Sequence, residues 1–278
     1  MDYSKVNIFY PVIGYTGMVH SDYMMSTIDL MSVCRQKGIK IGLRSIWFES
    51  LISRARNASV AFMLNKDYTH LLFIDTDTQF SAFDVMKLIE ADKDVAVGVY
   101  PKKYLNGQKI ELMASTGKMP EYWRHLATDF STEIDYEQLK KAKDQDVVQA
   151  RYAATGFMLI KRECIEKIIA AKPEIKYTND IDGYMDAGDN FYDIFRCEVN
   201  PETKKYESED YGFCKLWKSL GGEINVVTDI SLGHRGFNTY MGNLKLQSNY
   251  YTPNEGLKNR TNTRKRYSWG KLYSASQT

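Results

Sequence analysis

Two aspartates, Asp75 and Asp77, follow directly on the apolar run His70-Leu71-Leu72-Phe73-Ile74. In an extended chain the side chains at i and i+2 point to the same side, so this spacing predicts two carboxylates together where a buried strand ends. Like charges repel there, and the crevice outside the carboxyl ends of the strands is where an open α/β sheet takes its ligand. A hard divalent cation, its shell completed by phosphate oxygens, is the natural partner for such a pair. The competing reading is local: both acids cap the turn and the helix that starts at Ser81.

Three further groups carry chemistry. Glu209-Asp210 opens a helical segment behind Ser208 as its cap. The macrodipole favours acids there, and a carboxylate kept ionised at a helix N-terminus can serve as a general base. In Leu232-Gly233-His234-Arg235-Gly236 the histidine has little bulk around it, so a metal or ligand can approach closely. With Asp77, His234 makes a mixed oxygen and imidazole site suited to Mn²⁺ or Mg²⁺, and Arg235 can face a diphosphate. Arg54 and Asn57 share one flank of a helix; over the crevice, Arg54 would neutralise phosphate and Asn57 would bond a sugar or ribose.

The elements that must position these groups alternate regularly. Val6 to Val12 predicts a buried strand, followed by a loop over 13–20. Ser21 to Lys37 has helical spacing at Met24, Ile28, Met31 and Cys34, and Gly38 closes it. Ile39 to Ile46 reads as a strand, and Ser50 to Lys66 as a helix with Leu51, Ile52, Ala55, Ala58, Phe62 and Met63 on one stripe. Thr69 to Asp75 is a third strand, Ser81 and Asp84 form a capping box at the next helix, and Asp94 to Tyr100 is a fourth strand. Near-continuous apolar strands between amphipathic helices predict an α/β fold whose mainly parallel central sheet is covered on both faces. Residues 102–149 break the rhythm and read as an insertion, a lid or an acceptor-side element. Strands are then expected over 152–161, 191–199 and 224–228, the last of them, with helices over 162–170 and 209–220.

The length of 278 residues allows one large domain or two small ones, and no linker divides 1–245. Hydrophobic content of 44%, with 18 glycines and 6 prolines, excludes collagen-like and low-complexity chains. No apolar run is long enough for a membrane span or a signal region, so the expected location is the cytoplasm. Cys34, Cys164, Cys197 and Cys214 lack metal-finger spacing and are expected as free thiols, largely buried. The net charge of +2 is uneven: residues 251–278 hold Lys258, Arg260, Arg264, Lys265, Arg266 and Lys271 against Glu255. This tail is either a solvated terminus or an arm for a phosphate-bearing donor or polyanionic acceptor.

Six segments in order resemble glycosyltransferases of the GT-A fold, a Rossmann-like architecture, and look closest to the family 2-like proteins of bacteriophages and large DNA viruses. They are Ser53-Arg54-Ala55-Arg56-Asn57, His70 through Asp77, Gly98-Val99-Tyr100-Pro101-Lys102-Lys103, Thr155 through Ile160, Ser208 through Cys214, and Gly233-His234-Arg235-Gly236. The resemblance covers about residues 5–245. It implies a glycosyltransferase domain over 1–245, with a nucleotide-sugar-binding half at 1–101, an acceptor half at 102–245 and a basic C-terminal extension at 246–278. Asp75 and Asp77 then match the Asp-x-Asp motif, Asp75 addressing the ribose or the metal's shell and Asp77 the metal, with His234 completing that site. Arg54, Asn57, Asp75, Lys102 and Arg235 make up the donor-binding set. Asp210 is the better match for the base of an inverting member, with Glu209 contacting the acceptor or serving instead.

The implied reaction is transfer of a sugar from a nucleoside diphosphate sugar to an acceptor hydroxyl, dependent on Mn²⁺ or Mg²⁺. The implied acceptor is a viral glycan or glycoprotein, or a hydroxymethylated base in phage DNA; for a viral protein the location is the host cytoplasm. Two other classes share an acid pair after a strand. Nucleotidyl transfer ordinarily calls for a basic, glycine-rich phosphate loop after the first strand, and Ile13-Gly14-Tyr15-Thr16-Gly17 holds no base. A non-catalytic nucleotide or glycan-binding protein would bind such ligands without turnover.

Overall fold

The computed structural model describes residues 1–251 apart from 118, 135 and 143–145. The basic residues expected to act as a tail lie outside the described residues. The chain begins β1 (Asn7–Gly14), α1 (Ser21–Lys37), β2 (Lys40–Trp47), α2 (Ile52–Leu64), β3 (His70–Ile74), β4 (Thr78–Gln79), α3 (Ala82–Glu90) and β5 (Val95–Val97). The expected insertion forms α4 (Gly107–Ser115), α5 (Trp123–Leu126), β6 (Thr132–Ile134) and α6 (Tyr136–Lys141). Then come β7 (Val147–Ala153), β8 (Phe157–Lys161), α7 (Arg162–Ala171), β9 (Glu198–Val199), β10 (Tyr206–Glu207) and α8 (Glu209–Ser219). The described chain closes with β11 (Ile224–Val227), β12 (Ser231–Arg235), β13 (Thr239–Asn243) and α9 (Leu244–Tyr250).

Eight strands form the central sheet in the order β2-β1-β3-β8-β5-β11-β7-β6. Parallel pairing joins β1 to β2 and β3, and β5 to β11, while β8 lies antiparallel between β3 and β5. Six of the eight strands therefore share one direction, and β7 and β8 oppose them. Helices cover both faces, as an α/β fold with a mainly parallel sheet requires. Along β3, Leu71 and Phe73 enter the core with Phe62 and Phe195, and Leu72 and Ile74 enter the opposite core with Leu30 and Val85. All four are essentially inaccessible to solvent. At about 1.5–3 kcal/mol for each such side chain, these contacts fix where β3 ends and hence where Asp75 begins.

The local signals at the helix ends are realised. Gly38 takes the left-handed conformation at φ 75° to close α1. Ser81 Oγ accepts the Phe83 N–H at 3.2 Å while Asp84 Oδ2 accepts the Ser81 N–H at 3.2 Å.

Other expectations are corrected. On α1 the packed face is Tyr23, Ser26, Thr27, Leu30 and Cys34, whereas Met24, Ile28 and Met31 are exposed. The reason is hydrogen bonding: the Tyr10 hydroxyl donates to Tyr23 Oη at 2.6 Å, and Ser26 Oγ donates to the Phe80 carbonyl at 2.5 Å. Leu51 and Ile52 likewise lie outside the packed stripe of α2. The strand expected over 152–161 is two strands, β7 and β8, separated by the turn that carries Gly156. Within the stretch expected as a strand over 191–199 only β9 is strand, because Phe191, Ile194 and Phe195 are buried in an irregular segment tied to Asn57. The strand over 224–228 is followed by two more, β12 and β13, and helix α9 runs across the boundary expected at 245. Its neighbour Tyr251 is buried with Met113, Leu126 and Ala127 in a small core of their own.

No helix among the described residues is long and apolar enough to cross a membrane. All four cysteines are free; Cys34, Cys164 and Cys214 are buried and Cys197 is exposed.

Candidate active site

A cavity of about 390 Å³ opens at the carboxyl ends of β1 and β3. Its wall carries five carboxylates, from Glu49, Asp75, Asp77, Glu209 and Asp210, and one guanidinium, from Arg56. The candidate donor-side acids and the candidate base thus meet in one place. Their segments are brought there by the end of β3 and the start of α8.

Asp75 stands directly on the sheet. Its N–H donates to the Gly156 carbonyl at 3.0 Å, where β8 starts, and its carbonyl accepts the Thr78 N–H at 2.9 Å to close a turn. That turn is why Asp75 and Asp77 take different partners, since the i, i+2 rule holds only while the chain stays extended. Arg56 Nη2 donates to Asp75 Oδ1 at 3.2 Å, and Arg56 Nε to Glu209 Oε1 at 3.3 Å. The guanidinium lies over the Phe73 ring, 5.0 Å from its centre, and Arg56 Nη1 is buried without a hydrogen-bond partner among the described residues. Burial disfavours its charge, but Asp75 and then Glu209 outweigh that, and its pKa is raised. A Cβ on Gly156 would lie 2.5 Å from Asp75 Oδ2 and 2.6 Å from the Tyr100 ring, so a glycine is what lets these two groups sit against β8. Burial, and next the Asp75 charge, push the Tyr100 hydroxyl well above its ordinary pKa.

Asp77 and His234 are joined by strand pairing. β12 pairs with β4 so that His234 faces Thr78, and the Arg235 N–H donates to the Asp77 carbonyl at 2.7 Å. His234 Nε2 then stands 3.5 Å from Asp77 Oδ1, and Lys103 Nζ 2.5 Å from Asp77 Oδ2. The other imidazole nitrogen, Nδ1, lies 2.8 Å from the Pro101 carbonyl. A carbonyl only accepts, so Nδ1 carries a proton and donates it. The ring packs edge-on to Tyr100 at 4.8 Å. Burial of Asp77 opposes its ionisation, but the hydrogen bonds and charges of His234 and Lys103 outweigh it and hold the carboxyl at about 2. Asp75 is not brought onto this pair, and among the described residues no three His, Cys, Asp or Glu side chains gather at metal-binding distance.

Glu209 and Asp210 open α8 as the sequence indicates, but Ser208 does not cap the helix with its side chain. Its hydroxyl donates instead to Asp210 Oδ1, which also accepts the Tyr211 N–H at 2.9 Å. Both hydrogen bonds fall on one oxygen of Asp210.

The donor-binding set is only partly assembled. Arg54 forks onto Glu49 at 2.7 and 2.8 Å, outside the cavity wall, and Glu49 in turn accepts the Tyr184 hydroxyl at 2.9 Å. Asn57 is buried away from the cavity: its Oδ1 accepts the Phe195 N–H at 2.8 Å and its Nδ2 donates to Asp193 Oδ1 at 3.1 Å. Arg235 is paired with Asp22, and Lys102 is exposed with its N–H donated to the Asp129 carbonyl at 2.7 Å. Arg54 meets only Glu49 among the wall's acids; the cations on Asp75, Glu209 and Asp77 are Arg56 and Lys103, each a near neighbour in sequence of a residue singled out. A signal for Arg56 was present: it lies one residue from Ala55 and two from Ala58 on the packed helix, where a charged side chain needs a partner.

No family model matches this sequence, and no curated protein matches it. Among solved structures, 4-diphosphocytidyl-2C-methyl-D-erythritol synthase from Anaerococcus prevotii DSM 20548 is similar at a TM-score of 0.32 and 8% identity. That match covers 65% of this chain and 81% of the other.

Proposed function

We propose that this cavity is the donor site of a nucleotide-dependent transferase, and that the group transferred is a sugar. The observation that carries the reading is a wall of five carboxylates, two of them sharing the buried Arg56 guanidinium, beside an aspartate facing an imidazole. His234 Nε2 stands 3.5 Å from Asp77 Oδ1, and in the neutral imidazole, whose proton sits on Nδ1, both are acceptors that a cation would join. Asp77 and His234, the latter oriented by the Pro101 carbonyl, are the residues that would hold Mn²⁺ or Mg²⁺ here. Such an ion supplies stabilisation of the charge on a departing diphosphate.

The chain's own residues do the rest. Asp210 accepts the proton of the acceptor hydroxyl as its oxygen bonds to the sugar C1 and the C1–phosphate oxygen bond breaks, the electron pair leaving with the diphosphate. Asp210 Oδ2 is the oxygen available for that proton, since Ser208 and Tyr211 occupy Oδ1. Attack from the face opposite the diphosphate inverts the configuration at C1. Glu209 is held by Arg56 and orients the guanidinium. Asp75, on the same guanidinium, is placed for the donor ribose.

Nucleotidyl transfer would bring a triphosphate against the same acidic wall, and the loop at residues 13–17 has no basic side chain to offset its charge. A thermal-shift panel of nucleoside diphosphate sugars and nucleoside triphosphates, with and without Mn²⁺, tests the reading. Stabilisation by a nucleoside diphosphate sugar that requires Mn²⁺, followed by release of the nucleoside diphosphate with an acceptor, is expected. Stabilisation by a triphosphate alone, with pyrophosphate release, would replace sugar transfer with nucleotidyl transfer.

A further inference from the structure

We infer that Lys103 is a built-in counter-ion for Asp77, one that occupies the carboxylate until a divalent cation displaces it and thereby sets the affinity of the site for that cation. The inference rests on the reading of Asp77 and His234 as the cation's protein ligands. Lys103 Nζ lies 2.5 Å from Asp77 Oδ2, while His234 Nε2 stands 3.5 Å from Oδ1. An ion held by Oδ1 and His234 would share the carboxylate with the positive charge already on Oδ2, and their repulsion would lower its affinity until Lys103 moves away.

The two basic residues of the site differ in how freely they can leave. Arg56 is buried, spans two carboxylates and lies over a ring, so its removal would strand charge. Among the described residues Lys103 makes one ion pair, and its side chain is 40% exposed. It extends from a fixed backbone: the Lys102 N–H bonds Asp129 and the Tyr104 N–H bonds the Lys102 carbonyl at 2.8 Å. The stem passes Gly236, where an added Cβ would come within 3.4 Å of Lys103 Cδ. A four-carbon stem on an anchored turn beside a glycine can swing off Asp77 into solvent without disturbing the fold. Lys103 thus keeps Asp77 neutralised while the site is free, and competes with the ion that the site takes.

The test is Mn²⁺ binding to the full chain without nucleotide, read by calorimetry and by loss of the free-ion paramagnetic resonance signal. Wild type is compared with Lys103→Met, which keeps the stem, with Lys103→Arg, which keeps the charge, and with Asp77→Asn; thermal unfolding confirms that each variant is folded. Lys103→Met is expected to bind Mn²⁺ about tenfold more tightly than wild type, Lys103→Arg no more tightly, and Asp77→Asn not at all. Equal or weaker binding by Lys103→Met, with Asp77→Asn still abolishing it, would overturn the counter-ion role and leave the cation site standing. Absence of Mn²⁺ binding in both wild type and Lys103→Met would overturn both.

Discussion

Arg56 and Glu209, 153 residues apart in the chain, meet inside the protein as an ion pair at 3.3 Å. The same guanidinium holds Asp75, so one buried side chain joins the acid at the end of β3 to the acid at the start of α8. Replacing Arg56 with Met leaves two carboxylates facing each other without compensation, and a buried pair broken on one side costs about 3–5 kcal/mol. Denaturant unfolding is expected to show that loss, with Arg56→Lys recovering only part of it, because an ammonium cannot fork to both acids.

The acids that open α8 are expected to separate in kinetics. Asp210→Asn removes the proton acceptor and should lower kcat by about 10²–10⁴ while donor affinity stays near wild type. Glu209→Gln should instead lower stability, because Arg56 loses a charged partner, and lower kcat less. Steady-state kinetics beside thermal unfolding read both effects, and a larger kcat loss in Glu209→Gln would reassign the base.

Gly156→Ala puts a methyl group against Asp75 and the Tyr100 ring, at 2.5 and 2.6 Å. Overpacking of this kind costs about 1–3 kcal/mol. Because the displaced groups line the cavity, stabilisation by ligand in a thermal-shift assay is expected to fall as well; intact stabilisation would show that the strain is relieved elsewhere.

His70 begins β3, with its Nδ1 2.8 Å from Thr69 Oγ1. Burial, and next the charge of Lys161, lower its pKa to about 4. The folded imidazole stays neutral below the ordinary histidine value near 6.5, where the unfolded chain takes up a proton. Stability should therefore fall as pH drops from about 6.5 to about 4, and hold steady above that window as far as this group is concerned. His70→Gln is expected to flatten that part of the profile in urea unfolding measured across pH 4–7.

What could be read from the sequence divides along local and non-local lines. The run into Asp75, the Ser81–Asp84 capping box and the Gly38 cap depend on neighbours within a few residues, and each is realised. The burial of α1 is misread from apolar spacing because Tyr23, Ser26 and Thr27 go inward on their hydrogen bonds while three apolar side chains stay out. Arg54 has the more exposed of the two arginine positions on α2 and pairs locally with Glu49, and the arginine that reaches the acids is the one that periodicity assigns to the core. His234 reads as a loop residue between glycines, and its strand exists only through pairing with β4 and β13.

The pairing of β4 with β12 also has a temporal side. Asp77 and His234 are 157 positions apart, so at a synthesis rate of 5–20 residues per second the acid waits on the order of ten seconds for its imidazole. A nascent chain halted anywhere before β12 can own most of the sheet and still lack a site. The same long closure makes the cavity a late arrival in refolding from denaturant, appearing after helix signals have recovered.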